Sequence, residues 1–163
     1  MNQLSGATDF DFLLGAWSIH NRRRRATSLL AEKGGDWEEF PATHTGTKAL
    51  DGKVTIEHYE ATFPNGQLVK GLTIRAFDAA TQQWAIVWLD NRQPPDFAPL
   101  LGRFKDGVGE FYQAITTPDG KPLHVRFTWD HITEETARWQ QAFSYDAGLT
   151  WDTNWVMEFS RQR

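Results

Sequence analysis

The sequence predicts an all-β protein: an up-and-down antiparallel barrel of about ten strands with a short helical plug near its N-terminal end. Three observations carry that expectation. Successive stretches of the chain alternate with period two, the mark of a strand whose neighbouring side chains face opposite ways. Turn signals punctuate them at short intervals, among them Asp51-Gly52, Pro64-Asn65-Gly66, Asp106-Gly107, Pro118-Asp119-Gly120 and Asp146-Ala147-Gly148. Eight Trp and 11 Phe supply more ring area than a core of this size needs, so the rings either fill a barrel or line an apolar cavity. An even strand number lets the last strand pair with the first and removes both edges.

The densest early apolar run is Phe10 to Trp17. Thr8 or Asp9 can cap a short helical turn over Phe10 to Leu14, and Gly15 stops it. Strand one then places Trp17, Ile19, Asn21 and Arg23 on one face. Residues Ala26 to Asp36, with Gly34-Gly35, read as a flexible connection. Strand two covers Trp37 to Lys48, and Asp51-Gly52 turns it into strand three. There Val54, Ile56, His58 and Glu60 share one face, while Thr55, Glu57 and Tyr59 share the other. Leu68 to Phe77 forms strand four, with Leu72, Ile74 and Ala76 on one side. Strand five, Gln83 to Asp90, is apolar on both faces, so it lies under another layer or at a subunit contact. Three prolines keep Asn91 to Pro99 out of any ladder. Leu100 to Lys105, Val108 to Thr116, Leu123 to Trp129, Thr136 to Tyr145 and Trp151 to Ser160 complete the set. The inward faces of strands two and five are left open at this level.

The chain of 163 residues reads as one domain, 1–163, large enough to bury roughly 70% of its unfolded surface. It has no Cys, which excludes disulfides, thiolate nucleophiles and Cys-based zinc sites. A net charge of −4 argues against broad nucleic-acid binding. No secretory signal is visible, and no apolar run approaches the ~20 residues of a membrane helix. A cytoplasmic protein without membrane or nucleic-acid partners is the expectation.

The helical plug followed by Leu14-Gly15-Ala16-Trp17 at the start of strand one resembles the calycin superfamily of lipocalins, fatty-acid-binding proteins and their bacterial relatives. Ten strands look more like the fatty-acid-binding branch than the eight-stranded lipocalins. Together with Gly102 to Gly109 and Ala137 to Ser144, the pattern is similar to bacterial lipocalin-like proteins without an established activity. The resemblance implies a calycin-like barrel that binds a small, largely apolar ligand. Fatty-acid-binding proteins hold a carboxylate with Arg-x-Tyr on the last strand, whereas this chain ends Phe159-Ser160-Arg161-Gln162-Arg163. The haem-binding nitrobindins use a His near the C-terminus; the last His here is His131. No cofactor is expected.

No catalytic motif is present: there is no Gly-x-Ser-x-Gly elbow and no Gly-rich phosphate loop. Ser144 to Trp151 matches the Asp-box pattern Ser-x-Asp-x-Gly-x-Thr-Trp and is expected to be a structural hairpin. In Arg22 to Arg25 only alternate residues share a face, and Arg23 points toward the barrel mouth. His58 and Glu60, with His44 opposite, could in principle hold a divalent ion, but a hydrogen-bonded polar pair near the cavity is the preferred reading and no metal is called for.

With Trp17 at the floor, the polar in-facing candidates rise to the opposite end. The ligand-binding residues expected there are Arg23, His58, Glu60, Trp88, Asp90, Arg92 and Tyr112, around a small apolar or amphipathic ligand with any anionic group near Arg23 or Arg92. The alternatives are an enzyme acting on a small hydrophobic substrate, with His58, Glu60 or Asp90 moving the proton, and a non-binding module that forms a homodimer through strand five.

Overall fold

The computed structural model describes residues 6–25 and 35–163; most of the connection expected over Ala26 to Asp36 lies outside them. Ten strands form one closed antiparallel barrel in which each strand pairs with its sequence neighbours and the last with the first. They are β1 (Gly15–Arg24), β2 (Trp37–Ala49), β3 (Val54–Thr62), β4 (Leu68–Asp78), β5 (Gln83–Asp90), β6 (Leu100–Lys105), β7 (Val108–Thr116), β8 (Pro122–Asp130), β9 (Thr136–Ser144) and β10 (Asp152–Arg161). Closure comes from β1 against β10, with Trp17 opposite Arg161 and Arg23 opposite Trp155. Each described strand has a neighbour on both sides, but the β5–β6 ladder covers only Trp84 to Ile86 and the β6–β7 ladder stops at Tyr112, so Val87 to Asp90 and Gln113 to Thr116 flank a gap at the mouth.

The floor is built by the opening segment. Asp11–Leu13 forms a 3-10 turn. Neither Thr8 nor Asp9 caps it through a side chain; backbone bonds such as Asp11 N–H to the Thr8 carbonyl do so instead. The backbone turns that precede it, Asp9 N–H to the Gly6 carbonyl and Asp11 N–H to the Thr8 carbonyl, occupy the donors that a side-chain cap would have met. Gly15 then takes φ +91, a conformation costly for any residue with a Cβ. Phe10 drives into the barrel with its ring centroid 5.0 Å from both Trp84 and Phe104, and 5.5 Å from Phe111. Arg161 locks the plug from outside. Its guanidinium lies 4.1 Å from the Trp17 ring and donates to the Leu14 and Phe12 carbonyls, 2.9 Å each. Gly46 lies under the plug, where a Cβ would sit 2.3 Å from the Leu13 carbonyl oxygen.

Two strands are inverted relative to the simple rule that apolar residues face in. On β3, Thr55, Glu57, Tyr59 and Ala61 are buried and Ile56 is not. On β4 the buried set is Val69, Gly71, Thr73 and Arg75, and Leu72 and Ile74 face out. The inner face of β5 carries Trp84, Ile86, Trp88 and Asp90. Ile56, Ile74 and Val87 therefore align across the outside of the barrel, with Leu72 beside Leu89.

The Asp box is a hairpin lock, as expected. Asp146 accepts from the Ser144 hydroxyl and the Thr150 N–H, both at 2.8 Å, while Ala147 and Gly148 take positive φ.

Candidate functional site

The interior holds two chambers in series. The outer one, about 310 Å³, opens between the Asn91 to Pro99 segment and the upper walls; Arg23, Asp90, Arg92, Asp96 and Gln113 contribute its polar groups. The inner one, about 80 Å³, is lined by Thr73, Ile86, Trp129, Trp139, Met157 and Phe159, and by a polar cluster described below. Trp88, Phe127, Gln141 and Trp155 line both, so they form the passage between the two. Trp88 can lie against the wall because Gly71 has no side chain there: a Cβ would meet the indole at 1.9 Å.

Among the described residues, both arginines that line the mouth are matched. Arg23 stands opposite Glu38 across the β1–β2 ladder, and its Nε and Nη2 both donate to Glu38 Oε1. Its guanidinium lies over the Phe63 ring at 4.0 Å. Arg92 grips Asp90 with Nε at 3.1 Å and Nη2 at 2.8 Å, and Trp88 Nε1 donates to the same carboxylate at 2.9 Å. Burial pushes the Asp90 pKa up, but the bonds from Arg92 and Trp88 outweigh it and hold the carboxyl below its ordinary value. Deeper, Asn21 is fully buried and accepts from Tyr59 Oη (3.1 Å) and Trp155 Nε1 (3.0 Å) while donating to the Phe40 carbonyl.

The inner polar cluster is His44, Glu57 and Arg75, with side chains 4–5% exposed. Arg75 Nη1 donates to Glu57 Oε1. Burial lowers the Arg75 pKa to about 9, which keeps it cationic at neutral pH. His44 Nε2 lies 3.0 Å from Glu57 Oε2, yet neither ring nitrogen reaches hydrogen-bond geometry with any group. That short distance is not an ion pair, because burial and then the Arg75 charge pull the His44 pKa down to about 3. Arg75 Nε and Trp129 Nε1 also lack partners. Unpartnered buried polar atoms are uncommon in folded proteins, and four of them belong to residues that line this chamber, each atom itself packed out of contact with its open space.

Four of the expected site residues, Arg23, Trp88, Asp90 and Arg92, do meet at the mouth. The other three do not. His58 and Glu60 lie on the outer face of β3, because Glu57 and Tyr59 take the inner positions; Glu60 is 3.7 Å from Lys70. Tyr112 is 43% exposed, because Phe111 holds the inner position on β7, and its hydroxyl donates to Glu110 at 2.9 Å. His44 faces in while His58 and Glu60 face out, so these three cannot share a metal ion. The same geometry separates His58 and Glu60 from Asp90 as proton-transfer partners. Sequence reasoning placed Asn21 on the inward face of strand one without naming it as a site residue, and it missed Glu57, Arg75, Tyr59 and Gln141. The available signal was the Asp51-Gly52 turn, which sets Tyr59 opposite His44 and Glu57 opposite Gly46.

The chain is thus a closed ten-stranded antiparallel barrel with an aromatic-lined interior. Among solved structures it is similar to the S-type phycobiliprotein lyase CpeS of Guillardia theta, at 12% identity over 98% of this chain and 94% of that one, with a TM-score of 0.62. A redesigned β-barrel (11% identity, full coverage of both chains, TM-score 0.46) and a DUF3598-family protein of unknown function from Nostoc punctiforme (9% identity, 99% and 100% coverage, TM-score 0.26) also match. No family model and no curated protein sequence matches the chain.

Proposed function

We infer that the barrel binds a small, largely apolar molecule in its two chambers. The observation that carries this is the passage formed by Trp88, Phe127, Gln141 and Trp155. It joins an open mouth to an enclosed, aromatic-walled chamber containing a few buried polar groups. That combination is the usual form of a small-molecule site. The outer chamber, about 310 Å³, lies at the lower end of the ~300–1,000 Å³ typical of such sites, so the ligand is small. The likeness to a phycobiliprotein lyase at 12% identity is one of fold; it agrees with a ligand-holding barrel and names no ligand.

Trp88, Trp129, Trp139 and Trp155 line the chambers, so half of the eight Trp report directly on occupancy. The test is a fluorescence titration with fatty alcohols, fatty acids, retinoids and haem, repeated on Thr73→Phe, which fills the inner chamber. Saturable quenching that is lost in Thr73→Phe, with the fold retained by circular dichroism, is the expected result. No response to any compound, or equal quenching in Thr73→Phe, contradicts the proposal.

A further inference from the structure

We propose, resting on the binding reading above, that the ligand is uncharged. The reason is the way charge is distributed around the cavity. Three arginines reach it, and each is already held by a carboxylate of the protein: Arg23 by Glu38, Arg75 by Glu57 and Arg92 by Asp90. Arg23 and Arg92 each commit both Nε and Nη2 to that partner. An entering carboxylate would have to displace one of these partners, leaving it buried without a cation, or remain unpaired itself. Either outcome is heavily unfavourable in a site sheltered from water.

Among the described residues, the remaining charged group on the lining is Asp96, which is exposed at the rim, with Oδ1 accepting the Ala98 N–H at 2.9 Å. It adds negative charge and further disfavours an anion. It is also too well solvated to hold a cation strongly. The inner chamber is neutral in sum, since Arg75 and Glu57 cancel and His44 carries no proton charge.

The experiment compares ligands of one chain length and different head groups. The full-length protein is titrated at neutral pH with 1-octanol, octanamide, octanoate and octylamine, read by tryptophan fluorescence. The alcohol and amide are expected to bind about tenfold or more tighter than either ion. If octanoate or octylamine binds as tightly as the alcohol, the cavity still binds ligands but the inference of neutrality is overturned. If none of the four binds, both readings fall. Asp90→Asn then frees Arg92 from its carboxylate, and octanoate should gain about tenfold relative to octanol. Glu38→Gln makes the same test at Arg23 should Asp90→Asn not fold. An unchanged ratio in a folded variant contradicts the proposal.

Discussion

His44, Glu57 and Arg75 place three titratable side chains where water is scarce, and their behaviour follows from that. The folded state holds His44 with a pKa of about 3, against 6.5 ordinarily. Between those values the unfolded chain binds a proton that the folded chain does not, so stability rises with pH across this window. The contribution is complete above pH 6.5 and is lost as pH falls toward 3, by at most about 1.4 kcal/mol per pH unit. Urea unfolding from pH 7 to pH 4 should therefore show a steeper loss in the wild type than in His44→Gln; equal slopes would contradict the burial of a neutral imidazole. Arg75→Met strands the Glu57 carboxylate and is expected to cost about 3–5 kcal/mol. Adding Glu57→Leu removes the stranded charge and should recover most of that loss. A double variant no more stable than the single one would show that the pair is not the reason for the cost.

At the scale of elements, the strands were legible and their facing was only partly so. All ten follow from local signals: period two for most, a continuous apolar run for β5, and the turn residues that bound them. The inward parity of β1 also follows, since Trp17 and Ile19 are apolar on a strand whose other face is polar. Strands β3 and β4 broke the rule. Ile56, Leu72 and Ile74 look like core residues but face out, and Glu57 and Arg75 look like surface residues but face in. The inversion exists because Glu57 and Arg75 satisfy each other, a relation between two strands that no single strand displays. His58, Glu60 and Tyr112 were placed inside for the same reason, by parity judged one strand at a time. The register across the Asp51-Gly52 turn would have corrected β3, because it pairs Tyr59 with His44. The plug offers a sharp test of the packing. In Gly46→Ala the new methyl would lie 2.3 Å from the Leu13 carbonyl oxygen, a backbone atom that cannot rotate away. A loss of about 1–3 kcal/mol is expected in thermal unfolding; wild-type stability would mean that the plug is not seated on β2.

For the whole molecule, closure leaves only short unpaired edge segments among the described strands, Val87 to Asp90 and Gln113 to Thr116 at the mouth, so association would chiefly use a face. The best candidate is the outer apolar surface formed by Ile56, Leu72, Ile74, Val87, Leu89 and Leu101. Four strands and about five residues along each give roughly 340 Å². That falls within the ~300–600 Å² of the largest patch on an ordinary monomer and below the ~800 Å² per partner of a standard interface. Light scattering should accordingly find a monomer at micromolar concentration, and a stable dimer would return strand five to the subunit contact expected from its two apolar faces. The proposed binding site is the interior, entered past Trp88 and Trp155. A crystal structure grown with the tightest-binding molecule of the titration panels is the decisive test. Ligand density is expected between Trp88, Phe127, Gln141 and Trp155, reaching toward His44 and Arg75. Density on the outer face of β3 to β6, with both chambers empty, would contradict it.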